Sequence, residues 1–134
     1  MGPLLLHEII LLSESFIKVI DLYIDEPTLV WLLKFGCADI RIITDRDNPY
    51  LTDKFRDVLE KAIQGGRKIE VRSVNTAHAH DRIWITRNHA WGFSNSIKEL
   101  KNRGKTSLVF YLDKETRKGI EEEFEFVWQD AEPM

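Results

Sequence analysis

The chain has little cysteine, proline or glycine, with one, four and seven residues of these types among 134, and it has no long apolar run. The single cysteine, Cys37, excludes an intramolecular disulfide and any metal site built from several cysteines, which suits a reducing compartment. The apolar residues 4–6 are soon followed by charge, lack the flanks of a secretory leader and are too short to span a bilayer. We therefore expect a cytoplasmic protein with no transmembrane segment.

Neither sign of charge dominates, since 19 lysines and arginines stand against 22 acidic residues, for a net charge of −3. No global basic field draws the chain to nucleic acid, so a polyanion would have to be bound by a local patch. No repeat, linker or low-complexity tract interrupts the chain, and its length and 43% hydrophobic content suffice for one folded core. The sequence predicts a single domain over residues 1–134.

Runs rich in β-forming residues alternate with amphipathic helical runs. Capping signals mark two of the helix starts: residues 25–28 contain a proline near the first turn, and Thr52 precedes a helix that Gly65 and Gly66 close. The predicted strands are residues 16–24, 39–44, 68–74, 80–86, 90–93 and 106–112, and the predicted helices are residues 4–13, 29–35 (with Gly36 as its cap), 52–64, 96–103 and 114–129. This order predicts an α/β fold, an α-β-α sandwich with a central mixed sheet.

The most informative stretch is residues 80–85, which reads His-Asp-Arg-Ile-Trp-Ile. Side chains two apart on a strand share a face, so His80 and Arg82 project together while Ile83 and Ile85 point to the other side. An imidazole can attack phosphorus as a nucleophile, and a guanidinium can neutralise charge on the non-bridging oxygens. The pair predicts a site for a phosphate-like anion.

The turn after this strand decides which side chains join the pair. A two-residue turn at residues 87–88 would place Trp91 opposite Trp84 and Phe93 opposite Arg82, with two aromatic rings on the polar face. A slip by one residue moves every side chain of the strand to the other face.

A three-residue turn at residues 87–89 would instead bury both aromatic rings on the apolar face. It would bring Ser94 opposite Arg82 and Ser96 opposite His80. Because burial favours this second register, we expect the polar face to gather these four residues.

These residues resemble the phospholipase D-like superfamily, whose motif is His-x-Lys-(x)4-Asp followed by a Gly-Ser or Gly-x-Ser element. The corresponding positions are His80 for the motif histidine, Arg82 for its lysine, Gly92 and Ser94 for the second element, and Asn95 or Ser96 for the polar position after it. Residues 21–25 (Asp-Leu-Tyr-Ile-Asp), 40–45 and 124–128 are also similar to the family. The resemblance covers roughly residues 16–130.

The resemblance implies a phospholipase D-like half-unit that acts as a phosphodiesterase, on nucleic acid, through a phosphohistidine intermediate. His80 and Arg82 would be catalytic, and Ser94, Asn95 and Ser96 would bind substrate, with no metal or cofactor. The family mechanism needs a histidine nucleophile and a second histidine as acid. Because this chain carries one motif, we expect a homodimer with a shared site and with Trp84 at or near the interface.

The sequence departs from the family at the acid that orients the histidine. Arg87 stands at the motif aspartate, and the acid that some relatives carry before the last strand falls near Thr106 or Ser107. Asp81 points to the opposite face from His80. The alternative hypotheses are therefore a catalytically inactive domain that binds a phosphate-bearing ligand or a protein partner, and a purely structural dimerisation module.

Other polar residues have simpler interpretations. The spacing of His78, His80 and His89 is compatible with a zinc site, but no carboxylate is well placed beside them, and we expect ordinary loop histidines. Ser94 and Asn95 also suit a helix N-cap. The acidic residues 121–123 are expected on the exposed side of the last helix. A final set of basic residues is expected on a solvated face, with a phosphate-backbone groove as the weaker interpretation: Arg41, Arg46, Arg67, Lys68 and Arg72.

Overall fold

A mixed sheet of seven strands forms the centre of the computed structural model, which describes residues 16–34, 39–75, 82–93 and 109–134. The predicted helices at residues 4–13 and 96–103 lie outside these ranges, as does Gly36. The described elements, in chain order, are β1 (Phe16–Ile20), α1 (Glu26–Lys34), β2 (Asp39–Asp45), α2 (Asp53–Gln64), β3 (Ile69–Val74), β4 (Arg82–Thr86), β5 (Ala90–Phe93), β6 (Val109–Tyr111), α3 (Lys114–Asp130) and β7 (Glu132–Pro133).

The strand order across the sheet is β6-β5-β4-β1-β2-β3-β7. β1, β2 and β3 run parallel to one another, and the remaining neighbours pair antiparallel. The carboxyl ends of the three parallel strands therefore share one edge of the sheet, where β4 begins beside the end of β1. The two-residue strand β7, which the sequence analysis did not predict, covers the outer side of β3.

Helices cover both faces of the sheet. On the first, here called the α1 face, side chains of the sheet pack against α1 and α2; its buried members include Ile17, Val19, Leu29, Leu32, Ile40, Ile42, Phe55, Leu59, Ile69, Val71, Trp84 and Trp91. On the second, the α3 face, the buried members are Ile43, Ile85, Ala90, Phe124 and Trp128. The predicted α-β-α sandwich with a central mixed sheet is confirmed.

Local signals place the helix ends correctly. Thr52 Oγ1 accepts a hydrogen bond from the Phe55 N–H at 3.2 Å, and α2 ends at Gly65. Gly66 has a φ of 90°, a left-handed conformation that glycine adopts without steric cost. Asp25 Oδ1 accepts from the Thr28 N–H at 3.0 Å and so caps the start of α1.

The predicted hairpin register is wrong. Trp84 pairs with Trp91 and Arg82 with Phe93, and the two-residue turn closes with a hydrogen bond from the Thr86 N–H to the His89 oxygen at 2.8 Å. Burial did not select the register because both faces of β4 are covered: Trp84 and Trp91 enter the core on the α1 face. Phe93, and not Ser94, therefore lies opposite Arg82 in the strand pairing.

Charged side chains attach α3 to the sheet. Lys18 Nζ lies 2.8 Å from Glu121 Oε2, and Arg72 Nη1 donates to the Trp128 oxygen at 2.7 Å. Arg117 Nε of α3 donates to the Thr86 oxygen at 3.1 Å. Glu121 is therefore half-buried, because its carboxylate pairs with Lys18 of the sheet. The expectation that residues 121–123 are all exposed is wrong for this residue.

Two more of the basic residues have partners elsewhere in the described chain. Arg67 Nη1 donates to the Leu33 oxygen at 2.6 Å, and Arg41 Nη1 lies 3.7 Å from Glu125 Oε1. Arg41, Arg67 and Arg72 are therefore only partly exposed, whereas Arg46 and Lys68 lie exposed on the surface, as the sequence predicted. None of the helices in the described part of the chain has the length and apolar character needed to cross a membrane.

Candidate anion-binding site

Arg82 begins β4 at the edge of the sheet where β1 ends, one position before Ile83, which pairs with Ile20. Its side chain is 21% exposed and shares the α1 face with Trp84. Ile83 and Ile85 pack on the α3 face, as the strand alternation predicts. Arg82 Nε is buried and has no hydrogen-bond partner among the described residues.

A buried carboxylate lies beside this guanidinium. Asp21 is 1% exposed, and its Oδ1 is 3.9 Å from Arg82 Nε, close enough for an ion pair but too far for a hydrogen bond. The same oxygen accepts a hydrogen bond from the Tyr23 N–H at 3.0 Å. This local bond explains why β1 ends at Ile20 and not at the predicted residue 24: the aspartate turns the backbone of the residues that follow it.

Tyr23 flanks the same guanidinium from the solvent side. The centre of its ring lies 5.9 Å from Arg82 Cζ, and 45% of the residue is exposed. One short loop thus supplies both a buried negative charge and an exposed aromatic ring to Arg82. These neighbours distinguish Arg82 from a solvated arginine on a strand, and they suit a binding site for an anion with an aromatic ring at its side.

The pKa of Asp21 is raised to about 6. Burial of the carboxyl group is the main cause, and Asp25 adds to it by charge repulsion. The Tyr23 N–H and the Arg82 charge act in the opposite direction, since both favour the carboxylate. Asp21 therefore changes charge close to neutral pH, which is unusual for an aspartate and typical of groups at functional sites.

The end of β2 supports the loop that carries Asp21 and Tyr23. Asn48 Nδ2 donates to the Ile24 oxygen at 2.9 Å and to Thr44 Oγ1 at 3.0 Å, in the protein interior. The Asp45 N–H donates to the Leu22 oxygen at 3.3 Å. These bonds hold the loop that carries Asp21 and Tyr23 against the end of β2, while β4 pairs with β1 on its other side.

Of the site residues predicted from sequence, the structure describes Arg82. The others, His80, Ser94, Asn95 and Ser96, lie outside the described residues. Trp84 was expected at or near a dimer interface, and this is wrong: it is fully buried within its own chain, in the core of the α1 face.

The predicted zinc ligands fall partly on the described chain. His89 is described, and its ring lies 5.4 Å from that of Trp91, whereas His78 and His80 lie outside. Within the four described ranges, no cluster of three or more histidine, cysteine, aspartate or glutamate side chains is arranged to hold a metal ion.

Sequence reasoning missed Asp21 and Tyr23 as site residues. The sequence indicates residues 21–25 only as a stretch similar to the phospholipase D-like family. A charged residue at the carboxyl end of a buried strand was the available signal, because the ends of parallel strands meet at one edge of a sheet where ligands commonly bind.

No known protein family and no curated protein matches the chain. Among solved structures, NucT from Helicobacter pylori superposes with a TM-score of 0.70 at 11% identity, over 99% of this chain and 91% of NucT. TrmBL2, an archaeal chromatin protein whose structure shows a novel mode of DNA binding, superposes with a TM-score of 0.66 at 16% identity. That match covers 99% of this chain and 49% of TrmBL2, so the chain spans about half the length of that protein.

At these identities the likeness concerns the fold. NucT has a phospholipase D-like fold, so the fold implied by the sequence resemblance agrees with the structural comparison.

Proposed function

We propose that the chain is a phospholipase D-like phosphodiesterase that acts on nucleic acid. The observation that carries the proposal is the position of Arg82, a mostly buried cation at the edge of the sheet, two residues after His80 in the sequence. Its Nε has no hydrogen-bond partner among the described residues, and an exposed aromatic ring lies beside it. A guanidinium held in this way is suited to neutralise a phosphate oxygen.

In the proposed reaction, a ring nitrogen of His80 attacks phosphorus, and the bond from phosphorus to the leaving oxygen breaks. That oxygen takes a proton from His80 of a second copy of the chain. Water then attacks the phosphohistidine, its proton returns to the second histidine, and the phosphorus–nitrogen bond breaks to release the product. Arg82 neutralises charge on the phosphate throughout, and Ser94, Asn95 and Ser96 bind its oxygens.

Tyr23 favours nucleic acid over other phosphodiesters. An exposed aromatic ring beside a phosphate-binding cation allows a base to stack next to its own backbone, an arrangement common in proteins that bind single strands. The fold of TrmBL2, a protein with a described mode of DNA binding, is in keeping with such a ligand.

The second candidate is a catalytically inactive domain that binds a phosphate-bearing ligand or a protein partner. Two observations favour it. Arg87 replaces the motif aspartate, and the strand pairing places Phe93 opposite Arg82, where Ser94 was expected. Both changes remove support that a catalytic histidine and its substrate would use.

The deciding experiment measures cleavage of single-stranded DNA, RNA and a chromogenic diester by the wild type and by His80→Ala, with and without EDTA. We expect turnover that survives EDTA in the wild type, because Arg82 supplies the positive charge that a metal would otherwise give. His80→Ala should abolish turnover with little change in anion affinity. Arg82→Ala should weaken both, since charged hydrogen bonds are worth roughly 1.5–3 kcal/mol each.

His89→Ala is the matched control, because it removes a histidine from the adjacent turn, and it should leave turnover unchanged. Full activity of His80→Ala would refute the phosphohistidine. Activity lost in EDTA and in His89→Ala would instead point to a metal held by His78, His80 and His89. Anion binding without turnover in the wild type would select the second candidate.

A further inference from the structure

Asp21 has no place in the proposed reaction, yet it is the charged group nearest to Arg82 among the described residues. We infer that Asp21 sets the charge selectivity of the site, so that it accepts the singly charged phosphate of a diester and disfavours the doubly charged phosphate of a monoester. This inference rests on the proposed function, because it assumes that Arg82 binds the phosphate.

The geometry gives the reason. Arg82 Nε lies 3.9 Å from Asp21 Oδ1, so an oxyanion bound to the guanidinium comes within roughly 5–8 Å of the carboxylate. When Asp21 is ionised, it cancels much of the positive potential that Arg82 creates. A phosphate therefore meets a site of nearly neutral charge. The second negative charge of a monoester gains little electrostatic energy there, whereas removing the dianion from water costs more free energy than removing a monoanion.

Asp21 could affect binding in another way, by holding Arg82 in its orientation. The two effects have opposite signs: removal of the charge strengthens anion binding, whereas loss of orientation weakens it. The 3.9 Å separation is not a hydrogen bond, and the Tyr23 ring also constrains the guanidinium. At the effective dielectric constant of a half-buried site, a unit charge at this range changes anion affinity by about tenfold or more. We therefore expect the effect of the charge to dominate.

Asp21→Asn is the informative variant, because asparagine keeps the shape and the oxygen that accepts from the Tyr23 N–H. Binding of bis(4-nitrophenyl) phosphate, a monoanion, and of 4-nitrophenyl phosphate, a dianion above its second pKa of about 6, is measured by calorimetry at about pH 8. The His80→Ala background prevents turnover. Since electrostatic energy scales with ligand charge, Asp21→Asn should tighten diester binding about tenfold and monoester binding about a hundredfold.

The controls isolate the charge at this position. Asp39→Asn removes the same charge from the amino end of β2, where Asp39 pairs with Arg41 and Lys68, and should change neither affinity. Arg82→Ala should weaken the binding of both ligands. At about pH 5 the diester affinities of the wild type and Asp21→Asn should converge, since Asp21 is then mostly protonated. Within the described residues, the charges acting on Asp21 are Arg82 of β4 and Asp25 at the start of α1.

The charge-selectivity inference is overturned if Asp21→Asn changes the two affinities equally, leaves them unchanged, or weakens binding. Each of these outcomes leaves the phosphodiesterase proposal standing. If the His80→Ala protein with Asp21 unchanged binds neither ligand and the wild type cleaves no substrate, both the charge-selectivity inference and the phosphodiesterase proposal are overturned.

Discussion

At the scale of single residues, the buried carboxylate of Asp21 lowers the free energy of unfolding when it is ionised. Its pKa is raised to about 6, so the folded chain binds the proton more tightly than the unfolded chain does. The contribution of Asp21 to the free energy of unfolding is therefore largest below the ordinary pKa of an aspartate and falls as the pH rises through 6. Above that pH the whole contribution is lost, a difference of about 3 kcal/mol for so deeply buried a group.

Asp21→Asn should consequently raise the thermal stability of the protein at about pH 7 and leave it nearly unchanged at about pH 4. The gain should reach about 1–3 kcal/mol by denaturant unfolding, because asparagine is neutral and keeps the bond from the Tyr23 N–H. Asp57→Asn is the control, since Asp57 is exposed and forms an exposed ion pair with Lys61, and its stability should stay within about 0.5 kcal/mol of the wild type. A variant less stable than the wild type at neutral pH would contradict the prediction.

The sequence indicated Arg82 and not its neighbours, for a physical reason. Alternation along one strand shows which side chains share a face, and this is local information. The contact between Arg82 and Asp21 joins residues 61 positions apart and depends on β4 lying beside β1. That adjacency follows from the topology of the sheet, which a motif within one strand does not encode.

At the scale of elements, the helices and most strands follow from local signals, while strand pairing does not. The cap at Thr52 and the glycines after α2 are recognised within a few residues. The hairpin of β4 and β5 shows the opposite case. The prediction assumed that one face of the hairpin is exposed to solvent and the other is buried. Helices cover both faces of the sheet, so burial of the aromatic rings is compatible with either register.

Ile85→Ala tests the assignment of the strand faces. Ile85 is fully buried against α3, so the substitution should cost roughly 2–5 kcal/mol of unfolding free energy. Its effect on anion affinity should be small, because Arg82 lies on the α1 face. Ile83→Ala should cost less, since that side chain is only partly buried. Ile63→Ala removes the same atoms from an exposed position on α2 and serves as the control. An effect on anion binding alone would mean that the faces are reversed.

At the scale of the whole molecule, the proposed mechanism requires two copies of His80 in one site. We expect a dimer by light scattering, with an interface that does not include Trp84, because that side chain lies inside its own chain. The sequence could suggest the dimer from its single motif but not the surface that forms it, which depends on the shape of the folded chain.

Mixed dimers provide a direct test. Wild-type chains co-refolded with an excess of His80→Ala chains should lose activity per wild-type chain, roughly in proportion to the fraction of mixed dimers, because a mixed site has only one histidine. The same excess of His89→Ala chains should cause no loss. Constant activity per wild-type chain, or a fully active monomer, would refute the shared site.

The short strand β7 also determines how the sheet ends. The outer side of β3 would otherwise offer unpaired N–H and C=O groups to any other chain, which is a common route to aggregation. Pairing of Arg72 with Pro133, together with a hydrogen bond from the Met134 N–H to the Val71 oxygen at 3.1 Å, occupies that side. Proline has no N–H to donate to a further strand. The pairing of β7 therefore protects the outer side of β3 from edge-to-edge association, and copies of the chain at high concentration are not expected to join sheet to sheet through β3.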